Sequence, residues 1–232
     1  MSVLYIIRHG QASFGQADYD RLSELGLRQA RLTGQYLRAT GVALDAAYAG
    51  GMARQRDTAG AVLAQLPQAP ALSVLPSLDE YDSAAIIQAL LPAMLRENSA
   101  LQKSLPGMYQ DRRSFQAIYE AAMGRWIGGQ YQTDGVETWR SFLARAQGAL
   151  RQVLRDNQGG KTVAVFTSGG TISAILLYAL GLLDQMALQM TWVIRNASIS
   201  SFFYNQRGLT LSTFNSTAHL EQQAEPGLLT YR

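Results

Sequence analysis

Apolar residues arrive in two rhythms along this chain. Val3 to Ile7 is a short apolar run ending on the polar triplet Arg8-His9-Gly10, the pattern of a buried strand that empties into a turn. A loop through Phe14, Gly15 and Asp18 follows, and Ser23 then offers a helix N-cap. Leu27, Ala30, Gly34 and Leu37 fall on one face of the helix it opens, which Gly41 stops. Asp45 to Ala49 predicts a second strand, Met52 to Leu66 a second helix, and Leu72 to Leu75 a third strand closed by Pro76.

From Asp82 to about Gly135 the rhythm changes. The segment is rich in Ala, Leu, Gln and Met and helical in spacing, with breaks expected at Pro92, Pro106 and Gly128-Gly129. It reads as a helical insertion or lid at about 83–135, within one domain spanning 1–232. Trp139, Phe142, Leu143, Ala146, Leu150, Val153 and Leu154 mark an amphipathic helix that Gly159-Gly160 ends. Thr162 to Thr167 is the most strand-like segment, entering the turn Ser168-Gly169-Gly170, and a helix is expected from Thr171 to Leu180. Ser198–Tyr204 and Leu209–Phe214 flank a polar turn and predict a hairpin. Together these elements predict an α/β fold: three-layer α/β/α with a mostly parallel central sheet, a final antiparallel hairpin and a helical insertion over the site.

Composition narrows the function classes. The 232 residues are 47% hydrophobic and 16% charged, enough to close a core. There is no cysteine, which excludes disulfides, thiolate ligands and a cysteine nucleophile. His9 and His219 are the two histidines, too few for a multi-histidine metal site, so no metal or cofactor is expected. The net charge is +3, but 18 of the 20 basic residues are Arg, with Lys103 and Lys161 the exceptions. Codon usage accounts for such an excess; arginine forks that grip a phosphorylated ligand would account for part of it. No basic run interleaved with aromatics suggests a nucleic-acid groove. No apolar stretch approaches the ~20 residues that cross a bilayer. A cytoplasmic protein without nucleic-acid or membrane partners is the expectation. Phe202 and Phe203 in the hairpin would suit a homodimer edge or an ordinary core.

The candidate chemistry gathers at the strand ends, where ligands of open α/β sheets bind. A neutral imidazole at His9 can attack phosphorus while the Arg8 guanidinium neutralises the oxygens around it; a lone histidine in a turn is as readily structural. Arg54, after the second strand, could supply another phosphate fork or be a solvated helix residue. Glu80, in Leu78-Asp79-Glu80-Tyr81, could protonate a leaving oxygen or be an exposed loop carboxylate. Ser168, Gly169 and Gly170 open a helix, where backbone N–H groups form an anion site, or Ser168 is a plain N-cap.

Taken together and in this order, these pieces resemble the histidine phosphatase superfamily, the phosphoglycerate-mutase-like proteins. Arg8-His9-Gly10 matches the defining signature. Leu22-Ser23 with Gly26, Gln29 and Ala30 resembles the entry to the first helix. Tyr48 through Arg54, with Thr58 and Ala59, resembles the second arginine motif, and Leu78 with Glu80 the acid motif. Gly135, Glu137, Phe142 and Arg145 resemble the helix before the last central strand. The resemblance implies a phosphomonoester hydrolase in which His9 becomes a phosphohistidine, Arg8 and Arg54 bind the phosphoryl oxygens, and Glu80 is the general acid. Water then releases phosphate, and no metal is required.

The chain departs from the family pattern at three positions. A second histidine normally follows the late strand, and here that position is Ser168. Gly15 stands where an asparagine often contacts phosphate, and Gly50 where a serine is frequent. His219 lies in a segment, Asn215 to Leu220, resembling one that family members carry besides their two active-site histidines. Ser168 is expected to recover part of the lost hydrogen bond, worth roughly 1.5–3 kcal/mol when made to a charged group. A weakened, phosphate-binding member and a phosphomutase are the alternative readings. Ser13, Gly15 and Arg112 are candidate substrate contacts. Arg112, Arg113 and Arg125 could meet a second anionic group or be solvated helix charges. Tyr81, Tyr109, Tyr119 and Trp126 are expected in the core of the lid.

Overall fold

A computed structural model of the chain describes residues 1–13, 20–108, 111–131 and 134–231. Its strands are β1 (Ser2–Arg8), β2 (Ala46–Ala49), β3 (Leu72–Val74), β4 (Thr162–Thr167), β5 (Ile199–Asn205) and β6 (Gly208–Ser216). They form one sheet in the order β3-β2-β4-β1-β5-β6. The first four in that order run parallel, and β5 and β6 add an antiparallel edge. β4 matches its expected bounds because it is central and buried on both faces, and such strands read as continuous apolar runs.

The helices among the described residues are α1 (Glu24–Ala39), α2 (Ala53–Leu63), α3 (Ser83–Glu97), α4 (Ser99–Ser104), α5 (Arg112–Gly128), α6 (Trp139–Asp156), α7 (Gly169–Leu180), α8 (Met186–Val193) and α9 (Ala218–Glu221). The two-residue alternation of the strands sorts them into layers. Leu4, Ile6, Val163, Val165 and Phe202 point toward Leu150 and Val153 of α6 and Ile172, Ile175 and Leu176 of α7. Ile7, Ala47, Ala49, Ala164 and Phe166 point the other way, onto Ala30 and Leu37 of α1 and Ala59 and Val62 of α2. The result is the three-layer α/β/α arrangement with a mostly parallel sheet. Phe166 is fully buried, and truncating such a ring to alanine costs about 3–5 kcal/mol.

Residues 83–128 supply three helices, and their core is continuous with the neighbouring layer. Ile86, Leu90 and Met94 of α3 pack with Ile118, Met123 and Trp126 of α5 and with Trp139 and Phe142 of α6. Pro92 does not break α3 as expected but lies inside it. Both Pro92 and Gln88, whose carbonyl the proline leaves without a helical donor, face solvent, so water can satisfy that carbonyl. The chain instead breaks at Asn98, which ends α3 and whose side chain accepts from Ala100 N at the start of α4. α8 escaped the sequence reading because it has no side-chain cap and buries one residue, Ala187. Of the two hairpin phenylalanines, Phe202 is core and Phe203 is exposed. No helix among the described residues is long and apolar enough to cross a membrane.

Candidate active site

The four parallel strands deliver five side chains to one edge of the sheet. Arg8 ends β1 and His9 follows it; Ser168 follows β4, its neighbour. Arg54 lies in the first turn of α2, just beyond β2, and Glu80 follows β3 and the short 3-10 turn Pro76–Leu78. His9 N donates to Thr167 O at 2.9 Å, which locks the first two strand ends together. The His9 carbonyl accepts from Ala197 N and from Asn196 Nδ2, both at 3.2 Å. Ala197 holds φ at 55°, in the left-handed region that non-glycine residues seldom adopt. That backbone cost sustains a hydrogen bond to the central histidine.

His9 is buried, and its tautomer is set from both sides. Nδ1 lies 2.7 Å from Gly10 O, which can only accept, so Nδ1 carries the proton. Nε2 then presents its lone pair to Arg54, whose Nε donates to it at 3.3 Å. Burial, followed by the charges of Arg54 and then Arg8, holds the His9 pKa well below the usual imidazole value. A neutral imidazole with its Nε2 lone pair directed at a guanidinium can act as a nucleophile toward an anion that binds there. Gly10 serves packing here: a Cβ on it would lie 2.3 Å from Gly26 O at the start of α1.

Arg54 is placed by two carboxylates that sequence reasoning missed. α2 begins at Met52, which has no capping side chain. Asp79 supplies the cap instead, accepting from Gly51 N and, at 3.3 Å, from Met52 N. Asp20 Oδ2 accepts from Ala53 N at 2.8 Å, and its other oxygen pairs with Arg54 at 2.8 Å. Arg8 donates to Ile194 O, and its guanidinium carbon lies 3.8 Å from the position of a Cβ on Gly169.

Glu80 keeps part of its surface open while protein packs around it. Its Oε2 accepts from Gly170 N at 2.8 Å, and its Oε1 from Tyr81 N at 3.2 Å. The protein's own acid therefore takes one of the N–H groups that the sequence had offered to a ligand at the start of α7. A Cβ on Gly170 would lie 2.3 Å from Glu80 Oε1, so this close approach requires glycine. Burial raises the Glu80 pKa, against the opposing pull of the Gly170 hydrogen bond and of Arg54. A carboxyl that holds its proton more firmly suits proton donation. Arg145 straps the loop in place: it pairs with Glu137 and donates to Ser77 O at 3.1 Å and Asp79 O at 2.9 Å. Thr167 and Thr171 hydroxyls add bonds to Leu78 O and Asp79 O.

Ser168 is buried and does not cap α7 with its side chain. Its Oγ accepts from Gln55 Nε2 at 2.8 Å, a partner the sequence reading did not single out. The remaining candidates are less central. Ser13 N bonds to Arg21 O, and Ser13 lines a recess with Gln11, Leu22, Ser23 and Glu24 rather than with the five side chains above. Gly15 and Tyr109 lie outside the described residues, as does the side chain of Arg112. Arg113 is exposed, and Arg125 is paired with Glu97 and stacked over Tyr131, as solvated or surface-paired helix charges are. Tyr81 and Trp126 are lid core, and the Tyr81 hydroxyl bonds to that of the half-buried Tyr119 at 2.7 Å. His219 lies behind α1, 3.0 Å from Thr33 Oγ1 and tilted against Tyr36. It contacts none of the five strand-end side chains.

A buried neutral histidine between arginines at the carboxyl edge of a parallel sheet, with a carboxylic acid of raised pKa beside it, defines a class. The chain belongs to the histidine phosphatase superfamily (branch 1), whose model matches residues 4–86 and 80–217. No curated protein matches it in sequence. Among solved structures it is similar to a phosphoserine phosphatase mutant from Entamoeba histolytica in complex with phosphoserine. That likeness has a TM-score of 0.68 and 18% identity over 95% of this chain and 100% of the other. It is also similar to phosphoglycerate mutase from Bacillus anthracis, with a TM-score of 0.65 and 20% identity over 97% of each chain. A mycobacterial glucosyl-3-phosphoglycerate phosphatase, in complex with VO3, gives 0.64 and 19% identity over 93% of this chain and 99% of that one. At these identities the likenesses establish the fold.

Proposed function

We propose that this protein is a phosphomonoester hydrolase working through a phosphohistidine on His9. The observation that carries the reading is the fixed tautomer of His9: Nδ1 tied to Gly10 O, and Nε2 directed at Arg54. A phosphorylated small molecule would bring its phosphoryl group to Nε2, between Arg8 and Arg54. Nε2 attacks phosphorus, the P–O bond to the leaving group breaks, and Glu80 gives its proton to the departing oxygen. In the second half, Glu80 takes a proton from water, the water oxygen attacks phosphorus, and the P–N bond breaks to restore neutral His9. The two guanidinium groups balance the charge on the phosphoryl oxygens, so this route calls for no metal. Ser168 takes the place of the family's second histidine as a neutral hydrogen-bond donor. Residues 83–135 form the lid of the same domain and set the choice of leaving group.

Incubation with a chromogenic phosphate ester is expected to give turnover, and quenching in alkaline detergent a base-stable, acid-labile phosphoprotein. Both signals should be absent in His9→Ala. No turnover and no His9-dependent label across a broad panel of esters overturns the hydrolase reading. Binding of inorganic phosphate without turnover would leave the non-catalytic, phosphate-binding reading standing. Transfer of the phosphoryl group to a second hydroxyl of the substrate, in place of water, would instead mark a mutase.

A further inference from the structure

Gln55 is fully buried one residue beyond Arg54, and its amide reaches across to the adjacent strand end. Three observations define its state. Its nitrogen donates to Ser168 Oγ at 2.8 Å and lies 3.5 Å from the carbonyl of Leu78. The Leu78 contact fixes the amide orientation, because a carbonyl cannot donate and so must face the NH2 end, and the Ser168 hydroxyl then accepts from the same nitrogen. Its oxygen is buried with no hydrogen-bond partner among the described residues. A Cβ on Gly50 would lie 1.9 Å from that oxygen. Gly50 is thus the residue that lets Gln55 occupy this space.

A buried amide oxygen without a donor is an expense a purely structural side chain has no reason to sustain, since an apolar residue of the same shape would avoid it. The chemistry at Ser168 supplies the reason. A serine hydroxyl has one hydrogen to give. Because Ser168 Oγ accepts from Gln55, that hydrogen remains available, and no described residue accepts it. Ser168 stands beside the Arg8–His9 strand end in register, with Thr167 opposite Arg8. We propose that Gln55 is a positioning residue that commits the Ser168 hydroxyl to donate to the phosphoryl group, the two together replacing a single imidazole donor. This inference rests on the hydrolase reading for its kinetic arm, but its binding arm stands without it.

The test is a double-mutant cycle of Ser168→Ala and Gln55→Leu, with Gln55→Met as a second, unbranched replacement should leucine disturb folding. Loss of the Ser168 donor is expected to lower kcat/KM about 10–100-fold, as for one hydrogen bond to a charged group. Loss of Gln55 should cost about 3–10-fold, a part of that total, mostly in kcat, and nothing further once Ser168 is alanine. Gln55→Glu should behave at least as badly as Ser168→Ala, because an ionised carboxylate would draw the Ser168 hydrogen to itself. Calorimetry with inorganic phosphate should show the same non-additive pattern. An unchanged kcat/KM and phosphate affinity in Ser168→Ala, or equal losses from Gln55→Leu with and without Ser168, overturns the proposal. If the parent protein shows no His9-dependent turnover, the hydrolase reading fails, while the phosphate-binding cycle still decides the Gln55–Ser168 pair.

Discussion

Acid should destabilise this protein in part through a histidine outside the candidate site. His219 is buried behind α1, and burial pushes its pKa down to about 4, with the Ala197 carbonyl and Glu221 opposing the shift. An imidazole in the unfolded chain titrates near 6.5. Between those two values the unfolded chain takes up a proton that the native protein refuses. Stability is therefore complete above the unfolded value and is lost as pH falls toward the folded one. Integration over the two titrations gives a loss of about 2 kcal/mol by about pH 5 and about 3 kcal/mol by about pH 4. The perturbation is His219→Gln, which keeps a polar side chain against Thr33 and removes the titration. Urea unfolding of both proteins, at a series of pH values between about 8 and about 4, isolates the histidine. Contributions from His9, Asp79 and Glu80 are common to both and cancel in the difference. The parent should lose stability faster than the variant by the amounts above. Parallel pH dependences for the two proteins would refute the reasoning, and a variant that loses stability faster would reverse its sign.

Two further outcomes follow from close contacts at the acid loop. Gly170→Ala places a methyl group on Glu80 Oε1 and against Tyr81, so kcat on a chromogenic ester should fall by about 10²–10⁴, the usual weight of a general acid. Inorganic phosphate affinity should change far less, because the arginines are untouched. Arg145→Ala releases the carbonyls of Ser77 and Asp79 and should cost about 2 kcal/mol in urea unfolding, the scale of hydrogen bonds to a charged group; kcat should fall with it.

Local pattern carried the reading of the chain where each element is dictated by its own residues. β4 is a run buried on both faces, and α1 has Ser23 as its cap with Gly26 N donating to it. α8 and the unbroken passage of α3 through Pro92 were not legible, since both depend on what lies outside the element. The same division holds at the site. Arg8, His9, Arg54, Glu80 and Ser168 were visible as residue types at strand ends, and the parallel order brings those ends together. Asp20, Gln55 and Asp79 were not, because each acts on a partner far away in sequence. Gln55 and Ser168 are 113 residues apart, a pairing that no local spacing announces.

The borrowed cap on α2 has a consequence for the order in which the protein assembles. The first turn of this helix, which carries Arg54, has no side chain of its own to close it. It is closed by Asp20 from 33 residues before and Asp79 from 27 and 28 residues after. Contacts of that span form only after the chain loops between them have closed. The arginine therefore reaches its final place only when both flanking segments have docked. Amide exchange at Gly51, Met52 and Ala53 would then slow only with docking, reporting completion of the anion site from the backbone, without any ligand.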